Sequence, residues 1–247
     1  MRSGPADWIS GLMRRKFMKH SFALRNAVRV VPILLLLLLS AEAALAQKGK
    51  LDIAYTVTLS DVASRQFRIT TEIGNIDQPR LDLALPTWTP GWYVVENYAK
   101  NVLRFNITDG SGKRLQPRMT RKQTWSVDTK GISRIRVEYD YSATVLGLNQ
   151  AKIADEFAFF TGIELFLEPI GHRSTPSRLK FQLPGGWKLI TALKDTPDPT
   201  IFTAADYDTL VDAPALMGSF DVSEFRVEGK PHYFAAAPAG VVDAEKS

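Results

Sequence analysis

The chain reads as an all-β protein: an antiparallel β-sandwich with one or two short helices, preceded by a cleavable signal peptide. Apolar and polar residues alternate at period two over most of the sequence after Lys50. Gly-, Pro- and Asp-rich punctuation separates the alternating runs. Helical periods are few and short, which fits a sandwich better than a mixed fold.

Taken in order, Ile53, Tyr55, Val57 and Leu59 share one strand face. Phe67, Ile69, Thr71 and Ile73 form the next, and Leu81, Leu83 and Leu85 a third. Leu103, Phe105 and Ile107 run into Asp109-Gly110-Ser111-Gly112, a turn. Trp125 and Val127 make a short strand, and Ile135, Val137, Tyr139 and Tyr141 a long one. Leu179, Phe181 and Leu183 end at Pro184-Gly185-Gly186. Phe225 and Val227 precede a last strand around His232 to Ala235. Helices are expected only at Val94 to Val102 and at Ala151 to Phe157. The sandwich domain spans 47–234. Residues 235–247, with Pro238 and Gly240, read as a linker or the truncated start of a further domain.

Residues 1–46 have the layout of a secretory leader. Arg14, Arg15, Lys16, Lys19, Arg25 and Arg29 form a basic region. Val30 to Leu39 is apolar, with six consecutive leucines from Leu34, and Ala44-Leu45-Ala46 is a small-residue cleavage site before Gln47. The apolar stretch falls short of the about 20 residues a membrane span needs. An uncleaved anchor is the alternative, and would be the only membrane contact. Arg14-Arg15-Lys16-Phe17-Met18-Lys19 resembles a twin-arginine export signal. Met18 is an alternative start that would give a leader of ordinary length. The chain is therefore expected to be exported, to a periplasm or the medium.

The leader also explains the charge. Seven of the 31 basic and two of the 26 acidic residues lie in 1–46, so 24 of each remain beyond it. A near-neutral domain gives no footing to a nucleic-acid partner. With no cysteine there is no disulfide framework, and about 200 residues can bury enough surface without one.

Pro86 to Tyr93 reads P-T-W-T-P-G-W-Y. Two prolines and a Pro-Gly turn would hold Trp88, Trp92 and Tyr93 in one fixed arrangement, with Tyr98 close behind. Such a cluster either plugs one end of the sandwich or offers a rim to a peptide or sugar. Trp88, Trp92, Tyr93 and Tyr98 are the candidate ligand-binding residues.

The run L-D-L-A-L-P-T-W-T-P-G-W-Y, followed by N-Y-A-K-N-V-L-R-F, resembles the N-terminal domain of the glycyl-aminopeptidase family of PDZ-containing zinc peptidases. A-A-D-Y-D-T-L-V-D-A-P-A-L-M-G, Ala204 to Gly218, resembles the segment leading out of that domain. W-S-V at Trp125, V-E-Y-D-Y at Val137 and L-P-G-G-W-K at Leu183 fall between them in the expected order. The likeness runs from about Leu51 to the end. It implies a parent enzyme in which zinc on a His-Glu-x-x-His helix activates the attacking water. It also implies that the missing catalytic and PDZ domains of the same polypeptide are the partners, with peptide substrate beyond them. A domain made to dock there would expose an apolar patch when alone and tend to self-associate.

This chain lacks the catalytic motif. Its three histidines, His20, His172 and His232, are followed by Ser21, Arg173 and Tyr233. No catalytic residue, metal ligand or cofactor is therefore expected in it, and the chain should be inactive alone. Asp206, Asp208 and Asp212 fail as a calcium loop, since Val211 and Met217 stand at its sixth and twelfth positions. A capped turn before Pro214 is the simpler reading. Glu156, Glu164 and Glu168 carry no spacing that marks an acid/base pair. A carboxylate hydrolase using Asp206, Asp208 and Glu164 stays open as a weaker reading. A free-standing periplasmic peptide- or carbohydrate-binding sandwich is the main alternative function.

Overall fold

The computed structural model describes residues 50–88, 92–147 and 149–242. The leader and the Thr89-Pro90-Gly91 turn lie outside the described residues.

Strands β1 (Asp52–Thr58), β2 (Gln66–Gly74), β3 (Arg80–Ala84) and β4 (Val102–Asp109) come first. They are followed by β5 (Arg114–Leu115), β6 (Arg118–Arg121), β7 (Thr124–Asp128) and β8 (Arg134–Ser142). Then come β9 (Thr144–Gly147), β10 (Gln150–Ile153), β11 (Phe157–Thr161), the helical turn α1 (Gly162–Leu165) and β12 (Glu168–Pro169). The chain continues through β13 (Ser177–Gln182), β14 (Lys188–Thr191), β15 (Lys194–Asp195), β16 (Ile201–Ala204) and helix α2 (Tyr207–Asp212). It closes with β17 (Pro214–Gly218), β18 (Asp221–Val227) and β19 (Lys230–Ala236).

An eight-stranded sheet in the order β15-β16-β13-β1-β2-β8-β4-β5 forms one layer. A five-stranded sheet, β14-β17-β11-β10-β9, and a four-stranded sheet, β12-β3-β7-β6, face it. Ring contacts join the layers. Phe67 of β2 meets Phe160 of β11 edge-on at 5.4 Å, and Phe105 of β4 stacks on Trp125 of β7 at 4.6 Å. The alternation read from the sequence is the core face: Ile53, Tyr55 and Val57 are buried while their neighbours are half-exposed. Register aligns these faces in rows, such as Phe181–Val57–Ile69–Tyr139 across four strands. The all-β sandwich with two short helices is thus the observed architecture.

Four details differ from the sequence expectations. β1 and β13 run parallel in the middle of the large sheet, so the sandwich is not antiparallel throughout. Period-two alternation fixes which side chains face the core but carries no strand direction. Ala151 to Phe157 is not helical. Ala151 and Ile153 are the inward residues of β10, and a tight turn with Ala154 N donating to Phe157 O at 2.8 Å starts β11. Val94 to Val102 yields only a 3₁₀ turn at Tyr98–Asn101 before β4. Leu103 does not share a face with Ile107. A bulge between Leu103 and Asn106, with Arg104 at φ 52°, turns Leu103 out to solvent.

The outward face of the large sheet is charged. Buried Asp140 of β8 accepts from Arg68 Nε at 2.8 Å and from Arg104 on the adjacent strand. These two guanidiniums hold its carboxyl below the usual range although burial pushes the other way.

Candidate functional site

Three buried tyrosines fix the geometry at one end of the sandwich. Tyr139 OH donates to Leu165 O, Tyr207 OH to Phe166 O at 2.7 Å, and Tyr55 OH to Leu167 O at 2.7 Å. Three consecutive carbonyls leaving α1 are thus held by hydroxyls from β8, α2 and β1. Each is a buried acceptor that a helix end would otherwise leave unpaired. Alternation places these tyrosines in the core, but nothing in the sequence marks their shared target.

The clamp seats α1 rigidly. Thr161 and Glu164 form a capping box, with Thr161 N donating to Glu164 Oε1 at 3.1 Å. Glu164 is 1% exposed. Burial pushes its carboxyl up to about 8, with Glu96 adding to the rise and the Thr161 N–H opposing it. Gly162 has no room for a side chain: a Cβ there would lie 2.6 Å from Leu210 O and 2.8 Å from Val211 Cα.

Two hollows flank α1. A polar pocket of about 140 Å³, partly open to solvent, is lined by Glu164, Glu96, Tyr98, Tyr141 and Asn149. The other is an open cleft where Trp88 and Ile163 meet Arg173, Asp208 and Asp212. On either side of the aromatic stretch, Glu96 N donates to Thr87 O at 2.9 Å. Gln123 Nε2 donates to Glu96 O at 3.2 Å, and Trp92 Nε1 to Glu96 Oε1 at 3.0 Å.

Trp88, Trp92 and Tyr93 are 51, 37 and 90% exposed, so they do not plug the sandwich. Tyr98 departs from this group. It is 4% exposed and faces the polar cavity, because the 3₁₀ turn rotates it inward.

The carboxylates have separate duties. Asp206 caps α2, accepting from Thr209 N at 2.7 Å, and that backbone bond holds its carboxyl below the usual range. Asp208 pairs with Arg173, which also grips Glu168 at 2.9 Å and lies 5.4 Å over the Tyr207 ring. Asp208 lines the Trp88 cleft, Glu164 the cavity on the opposite flank, and Asp206 neither. No acid/base pair assembles from these three.

The two described histidines, His172 and His232, have separate partners. His172 is half-buried, its Nε2 3.2 Å from Gln78 Oε1, rather than freely solvated. His232 stacks on Phe225 at 5.4 Å. Among the described residues no three His, Cys, Asp or Glu side chains group to hold a metal ion. A zinc ion is therefore not matched by the residues described.

No curated protein matches the chain. The crystal structure of an aminopeptidase N family protein from Idiomarina loihiensis superposes with TM-score 0.69 at 26% identity, covering 74% of this chain and 32% of that one. An M1 zinc metallopeptidase from Deinococcus radiodurans, solved with a Tyr-Ser-Ala substrate, gives 0.41 at 15% identity over 80% of this chain and 51% of its own. Leukotriene A4 hydrolase from Saccharomyces cerevisiae gives 0.39 at 11% identity over 72% and 30%. The chain thus spans about a third of the length of the Idiomarina loihiensis protein. A family model for the peptidase M61 N-terminal domain matches residues 54–219, from within β1 to just past β17, and the chain belongs to that family.

Proposed function

We propose that the chain is the non-catalytic N-terminal domain of an exported zinc aminopeptidase of the glycyl-aminopeptidase type. Its membership of the peptidase M61 N-terminal domain family carries this reading. In it, the zinc, the His-Glu-x-x-His helix and the PDZ domain belong to other parts of the polypeptide. The sandwich packs against the catalytic domain, and the loop bearing Trp88, Trp92 and Tyr93 helps wall the substrate entrance. The purified chain should release no amino acid from glycyl peptides with or without added zinc. Chelator-sensitive hydrolysis by the chain alone would contradict the assignment. For export, N-terminal sequencing of protein recovered outside the cytoplasm should begin at Gln47, and a chain still starting at Met1 or Met18 would count against cleavage.

A second reading is supported by the exposure of the three aromatics. A free-standing periplasmic module would stack a sugar or hold a peptide on that rim. Tryptophan fluorescence titrated with peptide and glycan panels should stay flat under the first reading. A saturable change that Trp88→Ala abolishes would favour the second.

A further inference from the structure

Charge is unevenly placed along the domain. Residues 100–136 hold ten Lys/Arg against two acids, Asp109 and Asp128, although 24 of each sign lie beyond residue 46. Arg104 and Arg136 pair with carboxylates of the large sheet. Arg118, Arg121 and Lys122 have no ion pair among the described residues. They stand on β6 and on the turn that joins it to β7. β6 is the outer strand of its sheet, and all four of its residues are exposed. Charges on an open edge keep other strands from pairing with it, which accounts for Arg118. It does not account for what gathers at the turn.

Lys122 of the turn and Lys100, also without an ion pair, line an open hollow of about 480 Å³ together with Met119, which is 57% exposed. Gln123 of the same turn holds both sides of the aromatic stretch. Its O accepts from Leu85 N at 3.0 Å, and its Nε2 donates to Glu96 O at 3.2 Å. Directly before Glu96 stand Tyr93, Val94 and Val95, the two valines 51 and 81% exposed. With Trp92 they make four consecutive apolar residues open to water. Single apolar residues are ordinary on a surface, but a run of them is not. The one carboxylate beside the run, on Glu96, accepts from Trp92 Nε1 at 3.0 Å.

We propose that Tyr93, Val94 and Val95 with the β6–β7 turn form a docking surface for an anionic lipid bilayer. The apolar residues enter the interface, and Lys100, Arg121 and Lys122 face the lipid phosphates. This is a membrane contact separate from the leader, and it does not depend on the aminopeptidase reading. Aromatic and aliphatic side chains beside unpaired cations have the makeup of an interfacial anchor. The cations complement a surface of fixed negative charge. A nucleic acid would take the phosphate contacts and stack on the rings, but it offers two exposed valines nothing to enter.

The chain has no cysteine, so Val95→Cys and Lys180→Cys each place one environment-sensitive dye on the 247-residue chain, at the proposed surface and on exposed β13. Phosphatidylcholine vesicles containing phosphatidylglycerol should raise the emission of the dye at 95 severalfold and shift it to the blue. The dye at 180 should not respond, pure phosphatidylcholine should affect neither, and high salt should reverse the change. Adding Arg121→Glu/Lys122→Glu should weaken the vesicle affinity at least about tenfold. Lys100→Glu, on the 3₁₀ turn, should weaken it in the same direction without touching β6. Lys194→Glu on β15, with the same change of charge, should leave it unaltered. Thermal melting of each variant checks that the sandwich is intact. A silent dye at 95, an equal response at 180, an equal response to uncharged vesicles, or unchanged affinity in both charge-reversed variants would overturn the proposal. So would a stronger response to polyglutamate or to duplex DNA than to vesicles, which would make an acidic protein or a nucleic acid the partner.

Discussion

Gly218→Ala is expected to destabilise the sandwich by at least about 3 kcal/mol, combining left-handed backbone strain with overpacking. Gly218 ends β17 at φ 115°, and a Cβ there would sit 2.2 Å from Glu156 O and 2.7 Å from Phe157 Cα. Both neighbours are backbone, so no rotamer relieves the clash. β17 lies between β11 and β14, with Gly218 in register with Phe157 on one side and Lys188 on the other. Relief therefore requires breaking ladder pairs. For a domain of this size the loss corresponds to a melting temperature lower by roughly 10 °C or more. Gly185→Ala is the control, since nothing lies within 4 Å of its Cβ position. Urea unfolding of the two variants compares them, and a cost below about 1 kcal/mol for Gly218→Ala would show that β17 and β11 do not pack this closely.

Glu164→Gln should change the pH dependence of stability rather than its value in acid. The Glu164 carboxyl is raised from 4.5 to about 8 in the folded chain, burial being the main cause. The folded state therefore holds this proton more tightly than the unfolded one. Stability from this group is full below about 4.5, declines as pH rises, and is lost above about 8. Each tenfold gain in proton affinity is worth about 1.4 kcal/mol, so the decline amounts to a few kcal/mol. Gln keeps an amide oxygen for the Thr161 N–H and still suits the capping box, but it cannot ionise. The variant should match the parent near pH 5 and exceed it by about 2–4 kcal/mol at pH 9. Denaturant midpoints at the two pH values decide it. Parallel pH profiles for parent and variant would mean that Glu164 titrates normally.

The sandwich was legible because alternation survives in the long strands. Ile135, Val137, Tyr139 and Tyr141 are all inward-facing, as the period requires. Strand direction was not legible, since β1 and β13 would read the same in either orientation. The bulge at Arg104 was hidden because a single left-handed arginine has no composition signal. At the functional end, the Asp206 cap was readable from local chemistry, whereas the tyrosine clamp depends on contacts 26 to 112 positions apart. Glu164 was only one acid among many in the sequence. Its burial, which gives it its properties, comes from the packing of α1 against α2 and β8. Exposed Trp88, Trp92 and Tyr93 and buried Tyr98 look alike in sequence, and the 3₁₀ turn separates them.

Metal analysis of the purified chain, coupled to hydrolysis of a glycyl peptide, decides whether the sandwich is non-catalytic. Zinc should be far below one ion per chain after dialysis, with no hydrolysis when zinc is restored. About one zinc held per chain, removed by a chelator together with peptide hydrolysis, would put a catalytic centre in the sandwich itself and contradict the assignment.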